Sequence, residues 1–266
     1  MRKILISLLT VALVGGGVYG ATSAFFSDTE TSNANIITAG SIDLKVGSTY
    51  SSVNDANGNG SFLLGDLDSN QALYTFTDLK PGDMGGGQFE IKVAKNESWA
   101  CVQSTLSSTP ENDLLDPEAE ANDTTPVVGE LQDHLQFVFW NDVNGNGLLD
   151  GGDANLPTTS FTLAQLTALG SFPLADSTSV NGPSFLTGSP LTPDISYHLG
   201  FKYCFGNFDP TYTACDGNNA AYNDAQSDSV VGTLAFSAVQ SRNNMSYVCN
   251  QTLANQWLTP TPTITP

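Results

Sequence analysis

Short segments in which apolar and polar residues alternate recur along this chain, and turn-forming residues separate them. The clearest is 135–140, LQFVFW, in which Leu135, Phe137 and Phe139 would share the core-facing side of a strand. A different spacing, typical of a short helix, occurs over 161–169. Because helical segments do not alternate with the strands, we predict an all-β sandwich with loop insertions and one short helix. The other predicted strands are 42–46, 73–76, 88–94, 99–106, 195–205 and 230–239. The acidic, turn-rich stretch 110–130 is expected to be a long surface loop.

The charge of the chain is strongly negative, with 27 acidic residues against 8 basic ones among 266 residues. We expect no nucleic-acid binding, because contacts to phosphate require clustered Lys and Arg. An anionic membrane surface is disfavoured for the same reason. The acidic surface of the protein suits solubility outside the cell and affinity for divalent cations. A solvated surface without bound ions is the alternative.

The N-terminus has the organisation of a secretory signal peptide. Met1-Arg2-Lys3 is positively charged, 4–14 is apolar, and Thr22-Ser23-Ala24 provides small residues for cleavage. We predict cleavage of residues 1–24, with Gly20 as the alternative cut site and an uncleaved anchor as the alternative outcome. We expect no stable membrane anchor, because the apolar run is short and no second long one follows. The predicted mature domain spans 25–257, and 258–266, LTPTPTITP, is predicted to be an extended tail.

Four cysteines predict two disulfide bonds in an exported chain, with three possible pairings. No CxxC spacing is present, which argues against a zinc ribbon. Cys204 and Cys215 flank a loop rich in turn residues, so their pairing is favoured. That choice leaves Cys101 with Cys249, and free buried thiols are the alternative.

The stretch 142–153, DVNGNGLLDGGD, matches the twelve-residue pattern of a calcium-binding loop, although the segment before it is a predicted strand. Oxygen-bearing side chains fall at positions 1, 3, 5, 9 and 12, and Gly147 at position 6 permits a sharp turn. Asp instead of Glu at position 12 predicts weaker binding, and magnesium is less favoured because it requires stricter octahedral geometry. A hairpin with Asn-Gly turns is the alternative that needs no ion. The predicted ligands are Asp142, Asn144, Asn146, Leu148, Asp150 and Asp153. Leu148 would bind through its backbone carbonyl and the others through their side chains.

A poorer copy of this pattern begins at Asp55 and places Asp66 at its twelfth position. Its ninth position is Leu63, whose side chain cannot bind a metal ion. A hairpin and a second calcium loop therefore both stay open for this stretch.

Few residues suggest catalysis. The chain has two histidines, His134 and His198, and lacks both the HExxH zinc motif and the GxSxG nucleophile elbow. We expect His198, in a predicted strand, to be a structural residue. Gly85-Gly86-Gly87 follows a predicted turn at 80–83 and is expected to form a loop or bulge. The sequence therefore predicts a protein that is not an enzyme.

Four segments resemble the corresponding segments of the TasA/camelysin family. They are 15–30, which ends in SDTE, 38–45 (TAGSIDLK), 79–83 (LKPGD) and 229–242 (SVVGTLAFSAVQSR). The resemblance implies a jelly-roll-like β-sandwich whose leader is cut by a SipW-type signal peptidase. It further implies a secreted structural subunit of an extracellular fibre or biofilm matrix at the cell surface. In such fibres the N-terminal arm of one copy enters the sheet of the next. Some members carry a metalloprotease description, which the resemblance would extend to this chain.

The arm predicted from this resemblance runs from Phe25 to Val46, and four of its apolar residues would fill hydrophobic slots in a neighbour. An arm that folds back as the first strand of its own domain is the alternative. Two other functions stay open, a secreted camelysin-like metalloprotease and a calcium-dependent carbohydrate-binding or surface-binding module. The four apolar residues are Phe25, Phe26, Ile36 and Ile37.

Overall fold

A computed structural model describes residues 42–52, 59–67, 72–121, 123, 125, 127–154, 159–180 and 185–249. The predicted signal peptide, most of the predicted arm and the tail at 258–266 lie outside these residues. No helix within the described part of the chain is long and apolar enough to cross a membrane.

The described residues form eleven β-strands and three short α-helices, so the fold is all-β as predicted, with two more short helices than the one expected. The helices are α1 (Asp116–Glu120), α2 (Leu131–His134) and α3 (Leu163–Leu169). The strands are β1 (Asp43–Ser52), β2 (Gly60–Gly65), β3 (Met84–Ala94), β4 (Ser98–Ser108), β5 (Leu135–Asn141), β6 (Phe161–Thr162), β7 (Ser171–Ala175), β8 (Ser196–Phe205), β9 (Asn207–Phe208), β10 (Cys215–Asp216) and β11 (Val231–Gln240).

Two unequal antiparallel sheets form the sandwich. The larger has the strand order β2-β1-β3-β8-β5-β6, and the smaller has the order β11-β4-β7. Strands far apart in the chain are neighbours, since β3 pairs with both β1 and β8. A separate two-stranded ribbon joins β9 and β10. The resulting core is built from contacts between distant parts of the sequence.

The core lies between the facing sides of the two sheets. In β3 the residues Phe89, Ile91 and Val93 alternate along the strand and are at most 3% exposed. In β11 the inward-facing side carries Leu234 and Phe236, which pack against this core. The alternation of apolar residues in β3 therefore marks the side of that strand that faces the core.

Three predictions of local structure need correction. Residues 73–76 form no strand, although Leu73 is buried. Gly85–Gly87 lie inside β3 and not in a loop, because the missing side chains allow close approach of β1 and β8. A Cβ on Gly87 would lie 2.0 Å from the Thr49 carbonyl oxygen. The stretch 110–130, expected to be a surface loop, contains α1 and the fully buried Glu118.

The helix predicted over 161–169 begins at Leu163, because the two residues before it pair with β5 as β6. Thr162 caps it by accepting a hydrogen bond from the Gln165 backbone, and the Gln165 side chain caps Thr162 in return. The turn predicted at 80–83 is confirmed by a hydrogen bond of 2.9 Å from Asp83 N to the Lys80 carbonyl.

Both favoured disulfide bonds are confirmed. Cys204–Cys215 closes the β9–β10 ribbon, and Cys101–Cys249 joins β4 to a segment 148 residues later in the chain. Two disulfide bonds indicate an oxidising compartment.

Candidate metal centre and open sheet edge

The predicted calcium loop, 142–153, directly follows β5, and backbone hydrogen bonds join its two ends. Asn141 and Ala154 form an antiparallel bridge, with N···O distances of 2.9 and 3.0 Å, that closes the twelve residues between them into a loop. A strand precedes the loop, as predicted. All six predicted ligands therefore lie on one short segment anchored at both ends.

Asp142 organises the first half of this loop. Its side chain is buried, and its two oxygens accept hydrogen bonds from the backbone N–H groups of Gly145 (2.9 Å), Asn146 (3.2 Å) and Gly147 (2.7 Å). Gly145 and Gly147 have φ of 67° and 72°, a conformation that glycine adopts without strain. The glycine predicted at position 6 thus has the role expected for it, and Gly145 has a similar one.

The second half of the loop converges on Asp150. Its Oδ2 accepts hydrogen bonds from the side-chain amides of Asn144 (3.2 Å) and Asn146 (2.9 Å), and its Oδ1 accepts one from Gly152 N (2.7 Å). These hydrogen bonds, Gly152 first, lower the pKa of Asp150. Asp153 accepts a bond of 2.8 Å from Asp150 N through Oδ2. Four of the predicted ligands are thus joined in one polar network.

The loop carries oxygen donors of the kind that calcium binds, but its three aspartates are not among the groups of carboxylates in the described residues whose oxygens lie within 4.8 Å of one another. Asp153 Oδ1 is inaccessible to solvent and has no hydrogen-bond partner, so one buried carboxylate oxygen is left without a donor. The side-chain oxygens of Asn144 and Asn146 instead accept hydrogen bonds from Asn146 N (3.0 Å) and Leu148 N (2.7 Å). The Leu148 side chain has no donor atom, so only its backbone carbonyl could contribute. The hydrogen bonds also hold the loop without an ion, so the hairpin alternative stays open.

The loop is fixed to the larger sheet on the side away from the core. Gln88 of β3 donates a hydrogen bond of 2.9 Å to the Gly145 carbonyl, and Asp142 N donates one of 3.0 Å to the His198 carbonyl. A Cβ on Gly145 would lie 2.9 Å from the His198 ring. An ion in the loop would therefore be coupled to β3 and β8, the central strands of that sheet.

The poorer copy of the calcium pattern lies only partly within the described residues, which exclude 53–58. The strands on either side, β1 and β2, pair antiparallel with Tyr50 opposite Gly60. Asn59 Oδ1 accepts a hydrogen bond of 3.1 Å from Ser52 N. The flanking geometry suits a hairpin connection.

A cluster of carboxylates lies elsewhere and was not predicted. Oxygens of Glu111, Glu118 and Asp228 lie within 4.8 Å of one another, and a second group joins Glu111 with Asp123 and Glu130. No linear motif indicates the first group, because its members are far apart in the sequence. A sequence signal does exist for the region, since no Lys or Arg occurs between Lys95 and Lys202.

The electrostatics of this cluster differ from those of the loop. Burial, and then the neighbouring Asp228 carboxylate, raises the pKa of Glu111 to about 7. Burial also raises the pKa of Glu130, Asp224 and Asp228. These groups repel each other as anions, whereas Asp150 in the loop is stabilised as an anion by its donors.

The two histidines lie in different surroundings. His134 Nε2 lies 2.9 Å from Asp224 Oδ1, and its ring contacts the Tyr222 ring, whereas His198 lies beside Gly145 of the loop. Neither belongs to the three-member groups of possible metal ligands found among the described residues.

One edge of the smaller sheet has no partner strand among the described residues. β11 is ten residues long and pairs along its length with β4, and no partner strand lies on its other side within the described residues. At the opposite edge, the β7 carbonyls of Pro173 and Leu174 accept hydrogen bonds from Phe185 and Leu186. The two edges of this sheet are therefore not equivalent.

An apolar cavity of about 40 Å³ lies between the sheets beside β11. Leu234 and Phe236 of β11 line it, facing Phe89 and Phe201 of the larger sheet. Phe172 of β7 and Phe185, at the opposite edge, line it as well, so the cavity extends across the smaller sheet.

The fold and these sites define a disulfide-bonded β-sandwich with an acidic loop. The chain matches no protein-family model, and a search of curated proteins finds no relative. The resemblance to the TasA/camelysin family therefore rests on the sequence segments quoted above.

Proposed function

We propose that the protein is a secreted structural subunit of an extracellular fibre or matrix, in which the N-terminal arm of one copy adds as a strand to the β11 edge of the next. The observation that carries the proposal is the open ten-residue edge of β11. An unpaired edge presents backbone N–H and C=O groups that another extended chain can satisfy.

The arm is shorter than the sequence indicated. Asp43 to Val46 belong to β1, which lies between β2 and β3, so this part is not free to leave its own domain. The segment available for exchange is therefore 25–41, which still contains Phe25, Phe26, Ile36 and Ile37. Because adjacent strand residues point to opposite faces, one member of each pair, Phe25 or Phe26 and Ile36 or Ile37, could face the side on which Leu234 and Phe236 line the cavity.

A contact of this kind is head-to-tail, because the arm and the β11 edge are different surfaces of the molecule. Such a contact produces an open filament when its rotation does not close into a ring. If the arm instead covers β11 of its own molecule, the edge is satisfied and no filament grows. The proposal requires the intermolecular arrangement under the conditions of assembly.

Calcium would have a supporting role. A bound ion would add to the hydrogen bonds of loop 142–153 and fasten that loop to β3 and β8. It would thereby stiffen the sheet that opposes the cavity.

The carbohydrate-binding alternative has less physical support. Sugar-binding surfaces commonly use exposed aromatic rings, and no Phe, Tyr or Trp among the described residues is exposed.

Deleting residues 25–37 from the protein that begins at Phe25 tests the proposal. We expect the full mature protein to form filaments visible by electron microscopy, and the deletion variant to remain monomeric, because it lacks the apolar part of the arm. Deletion of 258–266 is the control and should leave filaments intact. Filaments of normal length and number from the variant without 25–37 would refute the proposal.

A further inference from the structure

We propose that loop 142–153 is a site of self-catalysed deamidation, at which Asn144 and Asn146 lose their side-chain amide nitrogens as ammonia. In deamidation the backbone nitrogen of the following residue attacks the side-chain carbonyl carbon of Asn and closes a cyclic imide. Glycine in that following position leaves the nitrogen unhindered, because it has no Cβ. The loop contains two such pairs in succession, Asn144-Gly145 and Asn146-Gly147. The proposal does not depend on the function proposed above.

One carboxylate faces both attacking nitrogens. Gly147 N donates a hydrogen bond of 2.7 Å to Asp142 Oδ2, and Gly145 N donates one of 2.9 Å to Asp142 Oδ1. A backbone amide nitrogen becomes a nucleophile when its proton is removed, and a carboxylate that already accepts this proton in a hydrogen bond can act as the general base. Asp142 is therefore placed to activate the nitrogen of both pairs.

The two carbonyl groups that would be attacked each have a hydrogen-bond donor. Asn146 Oδ1 accepts a bond of 2.7 Å from Leu148 N, and Asn144 Oδ1 accepts one of 3.0 Å from Asn146 N. Negative charge develops on this oxygen when the nitrogen adds to the carbon, and a fixed N–H donor stabilises that charge, as in an oxyanion hole. Each Asn-Gly pair thus has a base for its nucleophile and a donor for its oxyanion.

The nitrogen that would leave is held as well. The Nδ2 atoms of Asn144 and Asn146 donate to Asp150 Oδ2 at 3.2 and 2.9 Å. Together with the bonds to Oδ1, these contacts hold each side-chain amide group in one orientation next to the following glycine, which lowers the entropy cost of ring closure. Both Asn side chains are exposed, so water reaches the reacting groups.

The reaction balances with water as its only co-reactant, as the step at Asn146 shows. The Gly147 nitrogen forms a bond to Asn146 Cγ, and the bond from Cγ to Nδ2 breaks. The proton of Gly147 N passes to Asp142 and then to the departing nitrogen, which leaves as ammonia. Water then opens the imide at either of its carbonyls and produces aspartate or isoaspartate. Each event replaces a neutral amide by a carboxylate and adds one negative charge to the loop.

This added charge would change the loop as a candidate metal site. Asn144 and Asn146 occupy positions 3 and 5 of the calcium pattern. Because ligand charge tunes the affinity of calcium loops, deamidation would alter how the loop binds that ion as the protein ages.

The experiment follows deamidation in the full mature protein, incubated with a chelator at neutral pH, by mass spectrometry of peptides that span the loop. The same protein unfolded in guanidinium chloride gives the intrinsic rate of each Asn-Gly pair. Asp142→Asn removes the proposed base and keeps the size of the side chain. Asp209→Asn is the matched control, because Asp209 also accepts backbone hydrogen bonds, from Thr213 and Ala214, but no Asn-Gly pair adjoins it in the sequence.

We expect Asn144 and Asn146 to deamidate at least about tenfold faster in the folded protein than in guanidinium chloride, because a positioned general base contributes a factor of roughly 10²–10⁴. Asp142→Asn should lose this acceleration, and Asp209→Asn should keep the wild-type rates. Equal or slower deamidation in the folded protein would overturn the proposal, and so would wild-type rates in Asp142→Asn. If Asp142→Asn does not fold, the comparison of folded with unfolded wild type decides.

Discussion

The acidic residues of this protein have very different surroundings, and the difference lies in the donors that face them. Asp142 is buried but accepts three backbone hydrogen bonds, so its charge is matched. Glu111 faces another carboxylate, and one of its oxygens has no donor. Burial alone does not determine whether a carboxylate stabilises the fold.

This contrast predicts a pH dependence for the protein in the presence of a chelator. The ordinary pKa of a Glu is 4.5, and that of Glu111 in the folded protein is raised to about 7. Between these values the folded protein binds a proton that the unfolded chain has released, so stability falls as pH rises through this window. We therefore expect the Tm to be several degrees higher at pH 5.5 than at pH 8.

Glu111→Gln should remove much of this dependence, because Gln cannot ionise. The facing groups Glu118, Asp123, Glu130 and Asp228 remain, and the pKa values of Glu130 and Asp228 are raised in the same direction, so a smaller slope should persist. Calorimetric Tm values across this range measure the effect. An unchanged slope in Glu111→Gln would contradict the assignment of the dependence to this residue.

The two acidic sites also differ in how far the sequence predicts them. The loop ligands lie within twelve consecutive residues, so a local pattern was sufficient to identify Asp142, Asn146 and Asp150 as neighbours. Glu111 and Asp228 meet only because β4 and β11 pair, and the register of that pairing is a tertiary property. Their proximity could not have been derived from spacing along the chain.

At the level of elements, alternation predicted the strands that have one side facing the core. The predicted strands overlap β3, β4, β5, β8 and β11, but burial recurs strictly at every second position only in β3, and β4 and β8 bury successive residues. β5 also buries Val138 and Trp140 on its other side, which no alternation rule predicts. Trp140 lies over Gly200 of the adjacent strand β8.

Two stretches whose structure depends on their surroundings were predicted wrongly or not at all. Residues 73–76 have apolar side chains but pair with no strand, and Tyr74 and Phe76 stack against each other with ring centroids 5.4 Å apart. β7 contains Pro173, which disfavoured a strand, yet it pairs with β4 at the edge of the sheet. In both places packing determined the structure more than local preference did.

The two disulfide bonds should contribute unequally to stability. In the chain-entropy model Cys101–Cys249, with a separation of 148 residues, contributes about 5 kcal/mol, and Cys204–Cys215, with a separation of 11, about 3 kcal/mol. Replacing both cysteines of a pair by Ala provides matched variants for urea unfolding. We expect the Cys101–Cys249 variant to lose more free energy of unfolding, and the reverse order would contradict the entropic explanation.

At the level of the whole molecule, the two sheets are unequal, with six strands facing three. Within the described residues β11 has no partner on its outer side, while the β7 edge is covered by residues 185–186, and an apolar cavity lies between the two sheets. A net charge of −19 disfavours non-specific association through mutual repulsion. Assembly then requires a specific contact that is strong enough to overcome this repulsion.

Hydrogen–deuterium exchange of the mature protein tests that contact most directly, with Val231–Gln240 compared between dilute and concentrated samples, with and without calcium. We predict that β11 amides pointing away from β4 become at least about tenfold more protected on assembly, because each gains a backbone acceptor. β7, whose outer side is already covered, serves as the internal reference and should change little. Unchanged β11 exchange in assembled material, or a protein that stays monomeric in every sample, would contradict the account.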